Sequence, residues 1–316
     1  MKKDRRRRNT IFDDAFRTME QECDDALICF VNRMFGKHYK ADASIERLRN
    51  EHYSGKENGD PTRCITDARF SISEGKKKEC YHLECESSGY GENILLRMFR
   101  YDMSYVGLTV TGESANKLTI QLARSGLLVL RDKGNPPKHL SFEIITPNGT
   151  INYESPVISL ADYSLSRIFK EKMYFLLPFY FINLSSRFAA YNDNEDDMKE
   201  FEKVYLEIIE RLEKTGDSEL SLRSKGVIIE MIESVVKGMA FDKGRIVKKV
   251  GEIMGGKPIK LKWVEQYDSD IARAKAEGKA EGKAEGKAEG KAERDALESE
   301  MKRLREENER LRAAVI

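Results

Sequence analysis

The chain has 316 residues, 40% of them hydrophobic and 34% charged, which supports a real core in one large domain or two small ones. Its formal net charge of +1 excludes a global basic field, so a nucleic-acid site has to be a local patch; Arg5–Arg8 and Lys76–Lys78 are candidates, a simply solvated surface being the alternative. Five cysteines at unpatterned spacing, with no Cys-x-x-Cys, argue against a disulfide framework or a zinc site and for a reducing cytoplasm.

The opening MKKDRRRRNT is basic, but no apolar run follows it, so it does not read as a signal peptide. Residues 10–36 read as one helix: Ile11, Phe12, Ala15, Phe16 and Met19 fall on one stripe, and Leu27, Phe30, Val31 and Met34 continue it. Asn9 or Thr10 is placed to cap it and Gly36 to close it. Asp13 and Asp14 stand in its first turn, where the helix dipole favours a carboxylate. Residues 37–62 are polar, carry Gly55, Gly59 and Pro61, and read as a loop.

Ile65–Ser87 is the most informative stretch. Two period-two runs flank a Glu-Gly-Lys-Lys-Lys turn, which predicts a β-hairpin. Ala68, Phe70 and Ile72 share one face of the first run and Asp67, Arg69, Ser71 and Ser73 the other. In the second run Tyr81, Leu83 and Cys85 oppose His82, Glu84 and Glu86. With the apolar faces on a core, Asp67, Glu84 and Glu86 form one acidic patch. Its charge is offset either by solvent on an open face or by a hard divalent cation such as Mg²⁺ or Mn²⁺, able to activate water against a phosphodiester. His82 shares the Glu84 face as a substrate contact or a structural residue.

Ser87–Gly91 is a turn, and a helix follows over 93–106 with Leu96, Phe99, Arg100 and Met103 on one side. Arg97 and Tyr101, four apart, lie on another side, where both can reach one phosphate or simply pack at the helix edge. Leu118–Leu122, Gly126–Arg131 and His139–Thr146 read as strands, and Pro147-Asn148-Gly149 turns the last into Thr150–Tyr153. Strands on both sides of the Arg97 helix predict an α/β domain around a mixed sheet. From Ser164 to Leu261 helical spacing dominates, as in Phe201–Leu212 and Val227–Met239. Met173–Leu184 is strongly apolar but twelve residues long with Pro178 inside, too short to span a bilayer, and reads as core.

Lys-Ala-Glu-Gly then occurs four times from Lys275 to Gly290. A four-residue period drifts around a helix, and each glycine costs about 0.8–1 kcal/mol against alanine, so the repeat predicts a marginal helix or a solvated spacer. Leu297, Leu304 and Leu311 follow at heptad spacing, with Met301 and Asn308 at the other core position. Glu300 and Glu307 are complemented by Arg305 and Arg312 across a parallel pair. These residues predict a parallel homodimer, or else a merely amphipathic charged helix.

Asp67 with Glu84-Cys85-Glu86 resembles the Asp…(Asp/Glu)-x-Lys signature of the PD-(D/E)XK nucleases, most closely the Rpn branch of bacterial recombination-promoting nucleases and transposase-like proteins. Asp14-Ala15-Phe16-Arg17 resembles the acidic-aromatic-basic opening of that branch's first helix, Arg97 and Tyr101 its Arg-x-x-x-Tyr, and the Gly-punctuated tail its charged ending. The likeness covers about 9–190 by motif. It implies a restriction-endonuclease-like mixed sheet flanked by helices over 9–190, a helical extension over 191–270, a spacer over 271–294 and a coiled coil over 295–316. It also implies a cytoplasmic, metal-dependent DNA endonuclease, with no membrane association, that hydrolyses phosphodiesters in recombination or element mobility. In that scheme Asp67 and Glu84 hold Mg²⁺ or Mn²⁺, Glu86 assists, Asp14 supports the cluster, and Arg97 with Tyr101 hold the phosphate of DNA. The chain departs from the pattern at Glu86, where the family has Lys or Gln. A carboxylate cannot stabilise developing negative charge as Lys does; it can accept a proton or ligate a second metal, or mark a decayed site in a dimeric DNA- or protein-binding module.

Overall fold

The computed structural model describes the backbone of residues 2–255 other than 41–42, 50, 57–58, 88–90, 92, 105–109, 115–116 and 132–135, and the side chains of these residues other than 2–10, 51–56, 59–65, 110–114 and 117–118. The Lys-Ala-Glu-Gly repeat and the heptad residues Leu297, Met301, Leu304, Asn308 and Leu311 lie outside the described residues.

The helix expected over 10–36 is two helices, α1 (Lys2–Glu22) and α2 (Asp24–Phe35), separated at Cys23, whose φ of −120° and ψ of 67° are not helical. Asp24 and Asp25 favour a helix start here, because a carboxylate is stabilised in a first turn. Asp25 also accepts hydrogen bonds from the backbone N–H groups of Ala26 at 2.8 Å and Ser221 at 2.6 Å, so the break is anchored elsewhere in the chain. Gly36 ends α2 in the left-handed conformation at φ 62°, as its position predicts.

Residues 37–62, expected as a loop, contain β1 (Ser44–Arg47), β2 (Glu51–Lys56) and the start of β3 (Gly59–Ile65). β1 is short and polar, so it carries no legible alternation; cross-strand contacts such as Glu46 with Lys78 at 2.5 Å help hold it. The predicted hairpin is β4 (Ala68–Glu74) and β5 (Lys77–Glu86), tighter than expected because the turn is only Gly75-Lys76, with Gly75 at φ 61°. Its register pairs Ala68 with Leu83 and Phe70 with Tyr81.

After α3 (Ile94–Ser104) come β6 (Val110–Ser114) and β7 (Lys117–Ile120), a ribbon of their own, then β8 (Arg124–Val129), β9 (His139–Thr146) and β10 (Gly149–Ser159). The main sheet has six strands in the order β1-β4-β5-β8-β10-β9, with β5, β8 and β10 parallel and the other pairs antiparallel. The protein is therefore α/β, with an open mixed sheet flanked by helices.

Both faces of this sheet are covered, so the polar hairpin face is not the open, solvated surface that one reading allowed. On one side α2 lies over Tyr81, whose ring is 5.1 Å from that of Phe35. Gly126, paired with Leu83, is a point of close approach, since a Cβ there would collide with Met34 Sδ and come within 2.9 Å of the Phe35 ring. On the other side α3 buries Ile94 and Met98 against Leu127 and Val129. The side of α3 read from the sequence is the wrong one for the core: Leu96 and Met103 are exposed, and the buried residues are Ile94, Leu95, Met98 and Asp102.

The C-terminal part of the described chain is helical: α4 (Leu165–Lys170), α5 (Phe188–Asp193), α6 (Glu195–Lys214), α7 (Leu222–Met239) and α8 (Gly244–Gly255). The apolar run forms buried 3₁₀ turns over Tyr174–Ile182 around Pro178, which lacks the N–H an α-helix needs. Phe175 packs its ring against Phe16 of α1 and Phe30 of α2, at 5.4 and 4.9 Å. Among the described residues, no helix is long and apolar enough to cross a membrane.

Candidate functional site

Asp67 stands one residue before β4. Since Ala68 pairs with Leu83, the register carries Asp67 opposite Glu84. The backbone fixes the pair from both sides: the Cys85 N–H donates to Asp67 Oδ2 at 2.8 Å, and the Asp67 N–H to Glu84 Oε1 at 3.4 Å. Burial pushes the Asp67 carboxyl up to about 7, and the charge of Glu84 adds to the effect.

Glu84 is only 4% exposed, and its neighbours explain how it can be. Two positions back on the same face, His82 approaches Glu84 Oε1 through Nε2 at 2.9 Å and Asp102 Oδ1 of α3 through Nδ1 at 2.8 Å. Burial disfavours the imidazolium, but the hydrogen bonds to Asp102 and Glu84 outweigh it and raise the pKa to about 9. At neutral pH both ring nitrogens therefore carry protons, and both donate. Asp102 Oδ2 accepts in turn from the hydroxyls of Ser125 on β8 and Tyr153 on β10. The Tyr101 ring lies beside His82, with centroids 6.3 Å apart.

Arg97 meets the acids from the first turn of α3. One Nη donates to Glu84 Oε2 at 3.3 Å and to Glu86 Oε1. Arg97 also lines an open cleft of about 560 Å³ with Glu86, Asn93 and Arg100. Arg100 forms no ion pair among the described residues.

Of the two neighbouring acids of α1, Asp13 rather than Asp14 lies close to Asp67 and Glu86. Asp14 is exposed, whereas half-buried Asp13 is close enough for its charge to act on Asp67 and for that of Glu86 to act on it. Burial raises the Asp13 carboxyl, Arg17 lowers it, and Asp14 and Glu86 raise it again.

Asp67, Glu84 and Glu86 are thus neighbours but not one ligand set. Among the described residues, no group of three or more His, Cys, Asp or Glu is arranged to hold a metal ion. Arg97 engages Glu86, and His82 engages one oxygen of Glu84. The remaining candidate donors are the partly buried Asp67 and the buried Glu84, whose second oxygen has only the longer 3.3 Å contact to Arg97. Hard oxygen ligands of this kind fit Mg²⁺ or Mn²⁺; Mg²⁺ in particular keeps several waters and commonly takes one or two protein carboxylates. No family model, curated protein or solved structure matches this chain.

Three residues of this site, Asp102, Ser125 and Tyr153, were not legible as functional in the sequence. Asp102 did carry a signal: it continues the 94, 98, 102 spacing of buried positions on α3, where a carboxylate demands a partner.

Proposed function

We propose that the protein is a Mg²⁺- or Mn²⁺-dependent endonuclease of the PD-(D/E)XK and Rpn type, acting on DNA. The observation that carries this reading is the Asp67–Glu84 pair, partly buried Asp67 just before β4 facing buried Glu84 on β5, bordered by Arg97 at an open cleft. A restriction-endonuclease-like core, with its acids on an antiparallel hairpin of a mixed sheet, suits that arrangement. A divalent cation held by Asp67 and Glu84 supplies Lewis-acid polarisation of the phosphodiester.

The chain's own residues do the rest. Arg97, at the cleft, exchanges its bond to Glu86 for one to a phosphate oxygen, and Arg100 adds positive charge beside it. Glu86, released from Arg97, accepts a proton from the attacking water. Tyr101, whose ring lies beside His82, contributes a phenol to the phosphate. Asp13 from α1 adds negative charge near Asp67, favouring cation capture. In a reducing cytoplasm the cysteines stay as thiols, and Leu297, Met301, Leu304, Asn308 and Leu311 pair two copies in parallel.

The bond between Arg97 and Glu86, with no three-ligand metal group among the described residues, favours one second reading: a decayed site on a dimeric DNA- or protein-binding module. Supercoiled plasmid separates the two. Nicking in Mg²⁺ that stops in chelator and in Asp67→Ala supports the enzyme; equal conversion by wild type and Asp67→Ala supports the module.

A further inference from the structure

The least expected feature of this core is a line of polar side chains running through it. Tyr153 and Ser125 donate to Asp102 Oδ2, His82 bridges Asp102 Oδ1 and Glu84 Oε1, and Arg97 reaches Glu84 Oε2. It joins β10, β8, α3 and β5, and its three central members are almost wholly buried, at 1% exposure for His82 and Asp102 and 4% for Glu84. Three ionisable groups in a core are costly, and an apolar set of similar volume generally stabilises a fold at least as well. Stability alone is therefore a poor reason for this arrangement.

The geometry points to His82 as a positioning residue: backed by Asp102, it locks the Glu84 carboxylate in one orientation, with Oε1 tied inward and Oε2 turned toward Arg97. This rests on the reading of Asp67 and Glu84 as the cation ligands.

Three features support it. His82 has no freedom to reorient, because both ring nitrogens are engaged, at 2.8 and 2.9 Å. Asp102 has none either, since its oxygens are divided between His82 and two hydroxyls. Ser125 is itself held in place, its carbonyl accepting from the Ser155 hydroxyl at 2.7 Å. A free glutamate side chain loses rotamer entropy when it binds a cation, and a pre-oriented one has already lost it. Groups that orient a metal ligand from behind typically change affinity by about 10–100-fold when removed.

The test is calorimetric titration of the full chain with Mg²⁺ and with Mn²⁺, alongside urea unfolding of each variant. His82→Gln, which can satisfy Glu84 or Asp102 but not both, is expected to weaken binding about 10–100-fold. Asp102→Asn and Tyr153→Phe, which keep the shape of the core, are expected to weaken it in graded fashion, Tyr153→Phe least. If His82→Gln fails to fold, the latter two carry the test. A purely structural role predicts lower unfolding midpoints with unchanged dissociation constants; variants that fold and bind within twofold of wild type overturn the assignment. Absence of cation binding by wild type itself overturns the Asp67–Glu84 site, and this assignment with it.

Discussion

Replacing Asp67 with asparagine is expected to stabilise the protein at pH 8 while abolishing the proposed cleavage of DNA. The Asp67 carboxyl is raised from the ordinary 3.8 to about 7 by burial and by Glu84, so the native state holds a proton that the unfolded chain has released. Across that interval the native state binds more protons than the unfolded state, and stability must fall as pH rises. A shift of roughly three pH units corresponds at most to about 4 kcal/mol, and since Asp67 is only partly buried, about 2–3 kcal/mol is the expected loss between pH 4 and pH 8. Asparagine removes the charge and keeps an oxygen for the Cys85 N–H. Urea unfolding at pH 5 and pH 8 reads this directly: wild type should lose stability over the interval, and Asp67→Asn, which keeps only the share due to His82 above pH 6.5, should lose less and exceed wild type at pH 8. Saturating Mg²⁺ should restore wild type at pH 8, by about 2.7 kcal/mol at a hundredfold excess over the dissociation constant, and leave Asp67→Asn unchanged. A wild-type stability flat from pH 5 to pH 8, or an Asp67→Asn protein weaker than wild type at pH 8, would refute the reasoning.

The other predictions concern neighbouring parts of the same core. Glu86→Gln should free Arg97 from one of its two acids and tighten binding of a fluorescent DNA duplex several-fold by anisotropy, and Arg97→Ala should weaken it; an unchanged Glu86→Gln protein would mean that Arg97 does not meet phosphate. The His82 pKa, raised to about 9 against an ordinary 6.5, gives stability that is complete below 6.5 and lost as pH rises toward 9, so the melting temperature should decline over pH 7–9 in wild type and much less in His82→Gln, where only the Asp67 share remains. Gly126→Ala should cost about 1–3 kcal/mol by overpacking against Met34 and Phe35, read as a lower urea midpoint at unchanged slope.

How much of this was visible in the residues depended on how locally each feature is encoded. The two faces of the β4–β5 hairpin were legible because period-two alternation is a property of neighbouring residues, and the pairing of Phe70 with Tyr81 agrees with them, whereas the two-residue turn that sets the exact register was not foreseen. The left-handed end at Gly36 and the turn at Pro147-Asn148 were legible for the same reason. The break at Cys23 was not, because the apolar stripe runs through it; only the paired Asp24 and Asp25 hint at a new start. β1 escaped notice since four mixed residues show no period. The buried side of α3 was misread because Leu96 and Met103 are as apolar as Leu95 and Met98, and which side faces in depends on β8, a distant part of the chain. The choice of Asp13 over Asp14 likewise depends on how α1 is rotated against the sheet. Within the candidate site, Asp67, Glu84, Glu86 and Arg97 are brought together, whereas the buried line behind them joins residues 82, 102, 125 and 153, whose proximity no spacing rule expresses.

The most direct measurement of the central claim is the rate at which the Asp67→Asn protein cuts duplex DNA in Mg²⁺, taken on material shown by urea unfolding to be folded at pH 8. Cutting by wild type at least a hundredfold faster than by this folded variant is the result predicted. Equal rates, or no cutting by wild type at any Mg²⁺ or Mn²⁺ concentration, would contradict it.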